Sequence, residues 1–235
     1  MKKIGILGGM GPEATANFFN KVIHLTNGSS DQEHIPIIIE NNVLIPDRTE
    51  YLLGNGPSPL KYLIKSAIVL ELMGADFIVM PCNTAHCFYE DIKEYLDIPI
   101  LNMVQITADF IKNNYKNTKQ VGLLATMGTY SSKIYENYFA HNNIEVIALK
   151  KENQKKLQEI IYKIKKGNKQ NHKSELINFL KELNEKSIEI VILGCTELPL
   201  LFNAIEKDED IAAFNYRYID TTLLLAKKSV EYAKL

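Results

Sequence analysis

The sequence predicts an α/β protein of two similar doubly wound domains with parallel-type sheets, related by pseudo-two-fold symmetry, with an active site in the cleft between them. Three observations carry this expectation. Apolar, β-branched runs alternate with amphipathic stretches along the chain, the alternation that builds a parallel sheet covered by helices. The stretch VGLLATMGTYSSKIYENYF from Val121 lies without a gap on IGILGGMGPEATANFFNKV from Ile4, matching Gly5 with Gly122, Leu7 with Leu124, Met10 with Met127 and Gly11 with Gly128. Finally, FIVMPCNTAH from Phe77 and IEIVILGCTEL from Ile188 each run an apolar strand into a turn that holds a cysteine with a threonine close behind. The offset is 117 residues at the first turn (121 minus 4) and 113 at the cysteines (195 minus 82), so the halves keep nearly the same internal spacing. We read this as an internal duplication. The predicted domains are 1–101 with 216–235, carrying Cys82, and 102–215, carrying Cys195.

The elements follow in order. Lys3 to Leu7 reads as a strand, Gly8 to Pro12 as a glycine-rich turn, and Glu13 to Leu25 as a helix with an apolar stripe through Phe18, Val22 and Leu25. Ile35 to Glu40 is a second strand, and Asn41 to Gly56 has the composition and length of a functional loop. Ser58 and Pro59 start a helix whose spacing runs from Leu60 to Leu72 and stops at Gly74. The strand to Met80 ends at Pro81, the helix after Cys82 is expected to reach about Leu96, and Ile98 to Leu101 closes the half. In the second half, Ser174 is the expected cap of a late helix, and Asp220, Thr221 and Thr222 start a C-terminal helix able to pack back on the first half.

Composition narrows the function. With 235 residues, 46% of them hydrophobic, the chain buries a sizeable core. A formal net charge of −1 and a pI near 6.5 give no field to gather nucleic acid or an anionic membrane, so a small-molecule substrate is expected. Lys150 to Lys173 holds nine lysines, but without interleaved aromatics it reads as a solvated helical face. The apolar start is broken by Gly8, Gly9, Gly11 and Pro12, unlike a signal peptide, and three cysteines do not form a secreted disulfide framework. A cytoplasmic location with reduced thiols is therefore expected.

Two strand-end thiols suit proton transfer: one thiolate removes a proton from a carbon acid while the opposite thiol protonates the other face, which inverts the centre. The amides of Asn83, Thr84, Thr196 and Glu197, at two expected helix N-termini, are placed to hold a carboxylate, and the helix dipoles favour thiolate over thiol. Met10 and Met127 would fill the wall of the cleft, with Thr126 beside them in the repeated turn. Glu197 reads either as a partner of Cys195 or as a first-turn acid. Other chemistries compete. Cys82, His86, Cys87 and Cys195 have zinc-ligand types but not a usual finger spacing, and Cys82 with Cys87 would make a poorly placed redox pair. His86 reads as a capping or packing histidine.

GGMGPEAT at 8–15, PDRT at 46–49, PCNTAH at 81–86, Lys165-Lys166-Gly167 and GCTELPLL at 194–201 together resemble the cofactor-independent aspartate/glutamate racemase family, in order across nearly the whole chain. The resemblance implies two α/β domains, catalysis by Cys82 and Cys195, no cofactor or metal, and a homodimer. By the same resemblance Arg48 and Lys165 would hold the substrate's distal carboxylate, while Asn83, Thr84 and Thr196 would hold the α-carboxylate. Lys163 and Lys166 are neighbours onto which the role of Lys165 would slip in a shifted alignment. A related isomerase or decarboxylase of small dicarboxylates, and a non-catalytic amino-acid-binding protein, are the alternatives.

Overall fold

In the computed structural model, residues 1–168, 172–186, 188–205 and 208–235 are described, with the side chains of 203–205 left aside. The chain order is β1 (Ile4–Gly8), α1 (Pro12–Thr26), β2 (Ile37–Asn41), α2 (Arg48–Leu52), α3 (Leu60–Leu72), β3 (Phe77–Val79), α4 (Tyr89–Lys93), β4 (Ile100–Leu101) and α5 (Met103–Asn114). It continues with β5 (Gln120–Ala125), α6 (Met127–Ser132), α7 (Ile134–Ala140), β6 (Glu145–Ala148), α8 (Lys151–Lys165), α9 (Lys173–Asn184), β7 (Ile190–Gly194), α10 (Leu198–Ile205), α11 (Glu209–Ala212), β8 (Arg217–Asp220) and α12 (Thr221–Ala233). Two compact units result, one of Met1–Thr107 with Thr222–Leu235, the other of Ala108–Thr221.

Each unit holds a four-stranded, all-parallel sheet, ordered β2-β1-β3-β4 in the first and β6-β5-β7-β8 in the second. The two orders are the same once the strands are renumbered within each half, which is the topology the duplication predicts. Alternation along the strands sorts their side chains onto two covered faces. In the first unit, Ile4, Ile6, Phe77 and Val79 pack with Phe18 of α1 and with Leu225, Ala226 and Val230 of α12. Leu7, Ile78 and Met80 pack on the other face with Leu63, Ala67 and Leu70 of α3. In the second unit, Leu124, Val191, Leu193 and Cys195 pack with Leu157 and Ile161 of α8 and with Leu176, Phe179 and Leu180 of α9.

The matched glycines Gly5 and Gly122 have a common steric cause. A Cβ on Gly5 would sit 2.9 Å from Ala75 Cβ, and one on Gly122 would sit 2.9 Å from Leu183 Cδ1, so a side chain at either strand position would push away the neighbouring packing layer.

Several local expectations are corrected. The 41–56 loop contains α2, whose N-cap Asp47 accepts from the amides of Thr49 (2.7 Å) and Glu50 (3.1 Å), a cap worth about 1 kcal/mol. After Cys82 the chain forms a 3₁₀ helix over Thr84–Phe88 and then the five-residue α4, ending at Lys93 rather than Leu96. Where the first unit has the continuous α1, the second breaks at Lys133, which is left-handed (φ 53°) between α6 and α7. Ser174 lies inside α9, whose N-cap residue is His172. Among the described residues, no helix is long and apolar enough to cross a membrane; Lys169, in the lysine-rich stretch, lies outside them.

Candidate active site

In a parallel sheet the carboxyl ends of the strands form one edge, where ligands bind. In the first unit that edge carries Cys82, three residues beyond β3, and the turn after β1. The Cys82 N–H donates to Met80 O at 2.8 Å, and its thiol is buried. Asn83 and Thr84 follow, both buried. Across β1, Gly9 takes φ +88°, and a Cβ there would meet the Asn42 backbone at 2.4 Å, so only glycine fits. Thr15 Oγ1 ties this turn by accepting from Gly9 N and donating to Gly11 O, both at 3.0 Å.

Arg48, in the first turn of α2, is buried against the same edge. Its Nη1 donates to Ile45 O (3.4 Å) and Pro46 O (3.1 Å), and its Nη2 donates to Met10 O at 3.2 Å. A guanidinium has five N–H donors in a fixed fork. Three are thus used on backbone carbonyls, and the Nε–H is buried without a partner. What remains is Nε–H and one Nη2–H, charged donors of the kind a carboxylate accepts. The sequence motif placed Arg48 as a ligand; it gave no sign that the residue also pins the loop to Met10.

In the second unit β7 pairs with β5 so that Gly194 lies beside Ala125, which makes Cys195 and Thr126 the next residues along adjacent strands. Thr126 is buried as the N-cap of α6, its hydroxyl accepting from Thr129 N at 3.1 Å. Cys195 Sγ donates to Glu197 Oε2 at 2.9 Å, and Thr196 Oγ1 donates to the same oxygen at 3.0 Å. Of the two sequence readings of Glu197, the partner of Cys195 is the one observed. Burial pushes the Cys195 thiol well above its ordinary range, the Glu197 charge adds to this, and the Lys165 charge opposes it. Desolvation thus works against the thiolate that the helix dipole was expected to favour at this position. Lys165 ends α8 as an exposed residue whose charge reaches Cys195.

His86 is not available to a metal. Its Nδ1 lies 2.9 Å from Cys82 O and its Nε2 accepts from Met103 N at 3.1 Å, so both ring nitrogens are occupied by backbone. Burial lowers its pKa from 6.5 to about 4. All three cysteines are thiols. Two residues that the sequence reading passed over also shape the second edge. Tyr130 OH donates to Leu123 O (2.7 Å) and accepts from Ala125 N (3.1 Å), while Gln158 Oε1 accepts from Met127 N at 2.8 Å. Gln158 is a polar residue on the buried face of α8, beside Leu157 and Ile161, and that break in an apolar stripe was its only sequence signal.

The Asp/Glu/Hydantoin racemase family profile matches residues 7–228. The chain belongs to this family. It is an amino-acid racemase, hence an isomerase. It is 33% identical over 230 residues to the broad specificity amino-acid racemase RacX of Bacillus subtilis (strain 168), covering 97% of this chain and 96% of that one. Among solved structures it resembles the Picrophilus torridus aspartate racemase, with a TM-score of 0.80 and 30% identity over 100% of this chain and 95% of the other. An aspartate racemase homologue from Pyrococcus horikoshii OT3 superposes with a TM-score of 0.77 and 28% identity over 100% of both chains. The two parallel sheets of this racemase agree with that fold.

Proposed function

We propose that the chain interconverts L- and D-aspartate, glutamate or both by a two-base proton transfer between Cys82 and Cys195 at the α-carbon. The observation that carries this reading is the equivalence of the two thiols. Each follows the third strand of its half in chain order, and the two sheets have the same strand order. In one direction the Cys82 thiolate takes the α-proton and becomes a thiol, while the Cys195 thiol gives its proton to the opposite face and becomes a thiolate. Glu197, already hydrogen-bonded to Cys195, is placed to relay a proton when the pair resets. The carbanion charge spreads onto the α-carboxylate, where Asn83, Thr84 and Thr196 supply donors, and Thr126 and Met10 line the turns beside them. The two donors left on Arg48, together with Lys165, hold the distal carboxylate. No cofactor is needed for this chemistry.

A wider substrate range is the second reading, favoured by the resemblance to a racemase named for broad specificity. The family resemblance further supports a homodimer, which sedimentation of the purified protein tests, and the three thiols support a cytoplasmic location. The deciding experiment is chiral chromatography of single enantiomers of aspartate, glutamate and neutral amino acids incubated with dialysed, chelator-treated protein in reducing buffer. Opposite enantiomers of the acidic substrates are expected. Their absence, with neutral amino acids racemised instead, would replace the first reading by the second.

A further inference from the structure

In an α-helix the carbonyl of residue 82 would accept from the N–H of residue 86. Here the segment is 3₁₀, and the His86 N–H donates instead to Asn83 O at 3.1 Å. The Cys82 carbonyl is met instead by the ring of His86, whose Nδ1 is 2.9 Å away. Cys82 O can only accept and the Met103 N–H can only donate, which assigns the proton of the neutral ring to Nδ1, facing Cys82 O. His86 is buried, and its far end rests on the first turn of α5, where Asn102 Oδ1 also accepts from Val104 N and Gln105 N at 3.0 Å. With the Cys82 N–H held by Met80 O, both backbone groups of the cysteine are fixed, and only rotation about its Cα–Cβ bond is left to aim the sulfur.

The second unit has no counterpart. The position equivalent to His86 is Pro199 (86 plus the offset of 113), and the Cys195 carbonyl is bonded by the backbone N–H of Leu198 at 3.1 Å. There the thiol itself is held, by Glu197. The two halves thus secure their cysteines by different means, one through the backbone and one through the sulfur.

We propose that His86 is a positioning residue for Cys82, its Nδ1–H bond to the Cys82 carbonyl holding the sulfur where it meets the α-proton. This rests on the reading of Cys82 as a proton-transfer group. A base must be placed to a fraction of an ångström, and a displacement of about 1 Å can cost on the order of 100-fold in rate.

The two ends of the bridge can be cut separately. His86→Asn puts an amide N–H near the place of Nδ1 and keeps the bond to Cys82 O, while His86→Gln puts an amide oxygen near Nε2, keeps the bond from Met103 N and loses the one to Cys82. The expected result is a kcat loss of at least about 30-fold in H86Q with KM within about two-fold, and a kcat within about five-fold of wild type in H86N, although the two lose similar thermal stability. Alkylation of Cys82, followed by peptide mass mapping, should change rate in H86Q and not in H86N. Equal kcat losses in both variants, or an H86Q with wild-type kcat, would overturn the assignment. Should H86Q not fold, H86N decides by itself, a kcat loss beyond five-fold counting against the assignment to the Cys82 carbonyl bond. A wild-type protein that racemises neither aspartate nor glutamate, or a Cys82→Ala variant that racemises normally, would instead remove the underlying reading of the thiol.

Discussion

The Cys195 thiol donates to Glu197 Oε2 at 2.9 Å, and the same carboxylate oxygen accepts the Thr196 hydroxyl at 3.0 Å. Both residues are buried, so the carboxylate adds to the desolvation that opposes ionisation of the thiol and at the same time offers an acceptor for its proton. Replacing Glu197 by Gln keeps the shape and removes the charge that raises the thiol. Cys195 should then titrate lower. Iodoacetamide labelling of Cys195 followed against pH should shift toward lower pH in E197Q, and kcat should fall because the relay is gone; an unshifted labelling curve would mean that the Glu197 charge does not act on the sulfur.

Acid should destabilise the first unit through His86. Its pKa is lowered from 6.5 to about 4 by burial, so the unfolded chain binds a proton that the folded chain refuses. Stability from keeping this ring neutral is fully present above about pH 6.5 and is lost as pH falls toward 4, on the order of 3 kcal/mol in all. Urea unfolding between pH 7 and 4 measures it, and H86N should show a shallower pH slope than wild type. Nuclear magnetic resonance of the ring nitrogens should find His86 neutral at pH 5.

Arg48→Lys should weaken acidic substrates and stability together, since the guanidinium makes three bonds to backbone carbonyls and, in the proposed function, gives its remaining donors to a carboxylate. A lysine reproduces neither the fork nor the reach to Met10 O. We expect kcat/KM for aspartate and glutamate to drop at least about ten-fold, with a stability loss of about 1–3 kcal/mol. Calorimetry and steady-state kinetics on the same preparation separate the two effects. Unchanged kcat/KM with lowered stability would leave Arg48 a structural residue alone.

Deuterium tests the proposed division of labour between the thiols. Early in a reaction in D₂O the product enantiomer should carry α-deuterium while the remaining substrate stays protiated, because the abstracting thiol seldom returns a solvent-derived proton to the same face. Cys82→Ala and Cys195→Ala should each stop racemisation, and any residual α-exchange should have opposite handedness in the two variants. Equal deuteration of substrate and product from the start would point to a single shared base.

Much of the fold was legible because its central strands lie in continuous apolar runs that turn residues bring to an end. Ile4 to Gly8, Phe77 to Val79 and Ile190 to Gly194 declare themselves in this way, and the matched pairs Gly5/Gly122 and Met10/Met127 give the repeat. Short elements were not legible. The five residues of α2 make little more than one turn, too few for a periodicity, and their start is set by the Asp47 cap. The α5 segment received no assignment although it packs Met103 into the core under β1 and β3.

The sequence by itself determined the αβ alternation, the duplication, the two cysteine turns and the family, because these depend on residue type and spacing along the chain. Tertiary structure alone decided what each site residue touches. That Arg48 holds Met10 O, that Cys195 faces a carboxylate and is pushed up by burial, and that His86 donates to Cys82 O depend on which groups folding brings within about 3 Å and strips of water. Hydrogen bonds and desolvation act through space, over distances that the order of residues does not encode locally. For that reason a motif could name the thiols, while only the folded chain shows that one is secured by its backbone and the other by its sulfur.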